Sequence, residues 1–206
     1  MAQGVIRTAC RTKPLASTFT GKYQQYNMRT NVLLALALPL LALAMYGCGG
    51  AQAQPNTIEW LTLPEAVERA KTDPRPILVD LYTDWCGYCK RLDAYTFSNK
   101  GIAEFIGTKY YAVKFNAEQH DSVEFRGTKY GPSSEGRGPH ELAVALTGGK
   151  LSYPTIVYLD ATGSLITAVP GYYSPTQIEP ILHYIATEAY KTQDWETFNG
   201  SFKSKL

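Results

Sequence analysis

Cys86 and Cys89 stand three positions apart in Cys86-Gly87-Tyr88-Cys89, directly after an apolar segment. Cysteines at this spacing fit three chemistries. In the first, they open a helix. A thiol there meets unpaired backbone N–H groups and the positive end of the helix dipole. It releases its proton near neutral pH, and the thiolate attacks a disulfide in another molecule. One turn on, the second thiol is close enough to close a disulfide with the first. The second chemistry is zinc binding, which takes about four ligands. No second cysteine pair follows, and His120, His140 and His183 are scattered. The third is a structural bridge, but closing so short a loop gains little chain entropy. The pattern favours working thiol chemistry and implies no cofactor.

The elements around the pair have the right order to position it. Ile77-Leu78-Val79-Asp80-Leu81-Tyr82 reads as a buried strand interrupted by one acid. A helix is expected from near Cys86 to about Phe97, with Leu92 and Tyr95 inward. Ser98-Asn99 caps a further helix through Ile106, with Ile102, Phe105 and Ile106 on one face. Tyr110 to Phe115 is the next strand. Upstream, Ile58-Glu59-Trp60 forms a short strand, and Pro64 opens a helix to about Lys71. Residues 116–152 are punctuated by Gly127, Gly131, Gly136, Gly138, Gly148 and Gly149 and read as an irregular insert, with a helix at about His140–Leu146. Thr155 to Leu159 and Leu165 to Val169 make a hairpin around Asp160-Ala161-Thr162-Gly163. A last helix is expected from Ser174 to Lys191, followed by a tail whose Trp195 and Phe198 can dock on the domain. The result is an α/β fold with a mixed sheet and helices on both faces.

Residues 1–53 have a separate character. They hold Arg7, Arg11, Lys13, Lys22 and Arg29, no acid, and an apolar run from Val32 to Tyr46. That run is short for a membrane span of roughly 20 residues. A basic residue, an apolar run and then small residues make an export signal. Met28 is a second candidate start. Cleavage after Ala53 leaves a mature chain from Gln54; lipid on Cys48 instead leaves a membrane tether. All 18 acids but only 15 of the 20 cations follow residue 53, a net charge of −3. No basic stripe remains there for nucleic acid. Residues 54–75 then form a linker, short strand and helix, 76–190 the main domain and 191–206 a tail.

The stretch from Ile77 to Lys90, with Asp84-Trp85 ahead of the cysteines, resembles the active-site strand and helix of thioredoxins. Ala112-Val113-Lys114-Phe115-Asn116, Lys129-Tyr130-Gly131, Tyr153-Pro154-Thr155 and Gly171 resemble the family's next strand, its following turn, its cis-proline loop and the glycine after its hairpin. Tyr95-Thr96-Phe97-Ser98-Asn99 is similar to exported thioredoxin-like proteins and to the periplasmic domain of the inner-membrane thiol:disulfide interchange protein. The resemblance implies a thioredoxin fold with an insert before the cis-Pro loop. It implies Cys86 as nucleophile and Cys89 as resolving thiol. Asp80 would be a buried proton acceptor tuned by Lys114. Trp85, Gly87, Tyr88, Tyr153, cis-Pro154 and Gly171 would form the partner surface. The implied partners are protein disulfides, with a membrane thiol relay as electron donor and a periplasmic monomer as the working form. Reductase, isomerase or oxidase, and a binding module without catalysis, all remain open. Common thioredoxins have proline where Tyr88 stands, and the residues between the cysteines set the potential.

Overall fold

The computed structural model describes residues 58–133 and 138–206. The expected export segment, with Cys48 and the Ala53 boundary, lies outside them, as does Gly136. Among the described residues, no helix is long and apolar enough to cross a membrane.

Alternation along the strands builds two apolar layers on one sheet. Strand β2 is Ile77–Tyr82 and β3 is Tyr111–Asn116. They pair in parallel, with Asp80 opposite Lys114. The short β1, Trp60–Leu61, adds to β3. On the other side, β6 (Thr155–Leu159) and β7 (Leu165–Pro170) run antiparallel, giving the order β1-β3-β2-β6-β7. Ile77, Val79 and Leu81 face one layer and Leu78 the other.

The first layer is covered by α1 (Leu63–Thr72) through Leu63, Ala66 and Ala70. A capping box starts α1: the Thr62 hydroxyl accepts from the Glu65 N–H, and Glu65 accepts from the Thr62 N–H. The helix α4 (Glu141–Thr147) joins this layer through Leu142, Ala143 and Leu146. The second layer is covered by α2 (Gly87–Arg91), a π-helical turn at Leu92–Phe97, α3 (Lys100–Lys109) and α5 (Pro175–Ala186). Leu92, Phe97, Ile102, Ile106, Ile178 and Leu182 pack there on Leu78, Ile156 and Tyr158. Phe105 is only half-buried.

Three sequence expectations change. The helix from Cys86 does not continue regularly to Phe97. Its second half is a π turn, whose wider winding directs Leu92, Thr96 and Phe97 inward. Tyr95, expected inside, is 65% exposed. The last helix stops at Ala186 rather than Lys191. The Thr187 hydroxyl donates to the His183 carbonyl at 2.7 Å and Glu188 turns left-handed at φ 56°; a 3-10 turn, Ala189–Lys191, follows. The insert contains a hairpin, β4 (Val123–Phe125) and β5 (Thr128–Tyr130). Arg126 and Gly127 at its tip both have positive φ, the geometry of a two-residue hairpin turn. Three-residue strands are too short for alternation to reveal them. The tail forms α6, Trp195–Ser201, docked through Trp195 and Phe198 on Tyr184.

Candidate active site

The end of β2 delivers the cysteines. Thr83 and Asp84 leave the sheet, and Cys86 becomes the N-cap of α2. Its sulfur accepts the Cys89 backbone N–H at 3.0 Å. This donor is one that every helix start leaves unpaired. Cys86 and Cys89 form a disulfide in the structure, and both are buried. On reduction, the same N–H and the helix start favour a thiolate on Cys86.

Asp80 lies on the layer of β2 that the motif helix and π turn cover, and it is fully buried. The Lys114 ammonium approaches it to 2.8 Å. The approach is a charge pair at hydrogen-bonding distance, and neither carboxylate oxygen has another donor among the described residues. Burial pushes the Asp80 carboxyl up to about 6; Lys114 opposes the rise, and Asp93 adds to it. Burial works against the charge of Lys114, but its pairs with Asp80 and Asp93 hold its pKa above the ordinary lysine value. Asp93 reaches Lys114 from the π turn. The ammonium also sits 4.9 Å from the Trp60 ring and 5.2 Å from Tyr82. One lysine thus joins a buried and a surface carboxylate. Asp93 is a member that sequence inspection missed: no local pattern marks a residue whose partner lies 21 positions away.

Around the disulfide, Trp85 and Tyr88 are 67% and 62% exposed. Trp85 meets Tyr153 edge-on, with centroids 6.1 Å apart, and its indole N–H donates to Glu118. The Tyr153–Pro154 bond is cis, and the Pro154 carbonyl accepts from the Gly171 N–H at 2.8 Å. Gly171 has φ 102°, a conformation that favours glycine. Gly87 is exposed, with open space where a side chain would stand. Tyr172 brings its ring 6.4 Å from Tyr88. Glu118, Arg91 and Tyr172 are further rim residues not singled out from sequence. A cavity of about 410 Å³ beside β7 and α5, lined by Ile166, Tyr184 and Trp195, includes neither cysteine.

The arrangement can store two electrons in a dithiol, present one sulfur as a nucleophile and hold a proton on a buried carboxyl near neutrality. Among curated proteins, the chain is 29% identical over 139 residues to the thiol:disulfide interchange protein DsbD of Citrobacter koseri, covering 64% of this chain and 21% of that protein. The Yersinia enterocolitica protein of the same name is 27% identical over 143 residues, covering 66% and 21%. The chain therefore matches about a fifth of the length of these relatives. A solved thioredoxin from Thermus thermophilus superposes with a TM-score of 0.50 at 16% identity, covering 64% of this chain and 89% of that one, a likeness of fold. The profile of the thioredoxin-like domain family matches residues 63–186, more than half of the sequence, and the chain belongs to that family.

Proposed function

We propose that the protein is an exported thiol:disulfide exchange enzyme that reduces disulfides in other exported proteins. The observation that carries the proposal is Cys86 at the start of α2, its sulfur accepting the Cys89 N–H, with Cys89 one turn behind. The Cys86 thiolate attacks one sulfur of a partner disulfide. That bond breaks, the partner's other sulfur leaves as a thiolate and takes a proton, and a mixed disulfide forms. Cys89 then loses its proton and attacks the Cys86 sulfur. The Cys86–Cys89 bond forms and the second partner thiol leaves. Two electrons have passed to the partner.

Asp80 accepts the Cys89 proton, a role suited to a carboxyl that titrates near 6. Lys114 tunes it through their ion pair. Trp85, Gly87, Tyr88, Tyr153, Pro154 and Gly171 form the surface on which the partner lies. Electrons return from a membrane dithiol relay. The working location is the periplasm, as a monomer, either free after cleavage at Ala53 or tethered through Cys48. The names of the curated relatives support the exchange chemistry.

The test is the reduction potential of the Cys86–Cys89 pair, equilibrated with reduced and oxidised glutathione. A reductase is expected at about −270 mV. A value of about −120 to −180 mV assigns the protein to oxidation or isomerisation instead.

A further inference from the structure

Aromatic side chains ring the disulfide, and the two ends of that ring carry opposite charge. From Trp85, the contacts run to Tyr153, through the Pro154–Gly171 hydrogen bond to Tyr172, and on to Tyr88. At the Trp85 end, the indole N–H lies 3.1 and 3.0 Å from the two oxygens of Glu118. Asp84, next in sequence to Trp85, accepts from the Asn116 amide at 3.2 Å. Both acids are exposed. At the Tyr88 end, the Arg91 guanidinium stands 5.0 Å over Tyr172 and 5.9 Å from Tyr95. No carboxylate among the described residues forms an ion pair with Arg91. Lys90 beside it is also exposed.

We propose that this polarity selects and orients the partner: an extended, cysteine-bearing segment with a basic side chain on one flank of its reactive sulfur and an acidic one on the other. The proposal rests on the exchange function above. The aromatic ring offers contact area to almost any segment, and stacking faces do not distinguish its two directions. Charge does. In one direction the basic flank meets Glu118 and Asp84 while the acidic flank meets Arg91. In the reverse direction both flanks meet like charge, which disfavours that pairing. Trp85 and Tyr172 hold Glu118 and Arg91 by directed contacts, so the charges stand at set places rather than on free side chains.

The experiment uses the reduced full chain and two blocked peptides of equal composition, Lys-Ala-Cys-Ala-Asp and Asp-Ala-Cys-Ala-Lys. Each carries a coloured aromatic thiol as a mixed disulfide on its cysteine. Attack by Cys86 on the peptide sulfur releases the coloured thiolate, and Cys89 then displaces the peptide. At low salt, one peptide is expected to react about fivefold faster than the other, the scale of two exposed charge contacts. The double variant Glu118→Lys with Arg91→Glu, which leaves Asp84 and Lys90 to oppose the new charges, is expected to abolish that preference. If the double variant misfolds, the unmodified chain still decides: about 1 M salt shortens the screening length to roughly 3 Å and is expected to bring the ratio towards one. Equal rates for the two peptides at low salt overturn the proposal, as does a double variant that keeps the original order or a preference that survives high salt. Failure of the unmodified chain to react even with Ala-Ala-Cys-Ala-Ala overturns the exchange function itself, a result distinct from lost preference.

Discussion

His140 on one layer of the sheet and Asp80 on the other are both fully enclosed, and the two are treated in opposite ways. On the α1–α4 layer, His140 caps α4: its Nδ1 accepts the Leu142 N–H at 3.1 Å, and its Nε2 meets the Asp121 carbonyl at 3.0 Å. Both nitrogens are used, and the ring packs edge-on against Phe115. On the motif layer, Asp80 has the Lys114 ammonium and no second donor among the described residues on either oxygen. A buried polar group with all its partners is mortar; one that lacks them stays ready to change protonation state. The contrast predicts a structural role for His140 and a chemical one for Asp80 where burial alone does not distinguish them, since both are fully buried.

The strongest challenge to the comparison is at the cysteines whose proton Asp80 is proposed to accept. Cys86→Ser is expected to reduce exchange to the uncatalysed rate. Cys89→Ser is expected to accumulate a mixed disulfide through Cys86, visible as a mass shift that thiol reductant reverses. An absence of trapped partner in the Cys89 variant argues against the exchange order given above.

Asp80→Asn is the next largest change. Exchange at pH 7 is expected to slow by about a hundredfold or more, the scale of a lost proton acceptor. Stability is expected to rise. The folded carboxyl holds its proton to about pH 6, whereas the unfolded chain releases it near 3.8. The folded state therefore binds more protons in that window, and its stability falls as pH rises through it. Asparagine removes this loss, a gain of about 1 to 3 kcal/mol above pH 6 that disappears towards pH 4. Urea unfolding at several pH values measures it. A destabilised variant at pH 7 would show that Asp80 is mortar like His140.

His140→Ala sharpens the contrast from the other side. It removes the cap and leaves a small cavity, with an expected loss of about 2 to 3 kcal/mol. The reduction potential is expected to stay unchanged. A shift in potential would tie the α1–α4 layer to the chemistry.

The smallest effect is expected from Asp93→Asn. The Asp93 charge helps to raise the Asp80 carboxyl. Its loss is expected to move the acid limb of the exchange profile to lower pH, by less than about one unit because Asp93 is partly exposed. An unmoved limb would place Asp93 in surface pairing only.

Local chemistry made part of this protein readable before its structure. Cys86 and Cys89, Asp80 within an apolar strand, and the Ile77–Tyr82 and Thr155–Leu159 strands all signal themselves within a few residues, because spacing and alternation act over that range. The Tyr153–Pro154 loop was legible through family resemblance. Helical periodicity turns Tyr95 inward because it assumes even winding, whereas a π turn depends on how the helix packs. The β4–β5 hairpin escaped because its strands are shorter than the period they must show. Tertiary structure alone decided that Lys114 lies between Asp80 and Asp93, that Glu118 holds Trp85 from 33 positions away, and that Tyr172 brings Arg91 to the rim. Those contacts join segments far apart in the chain. Each residue type has many equivalent partners in the sequence, and only packing of the sheet and its helices selects among them.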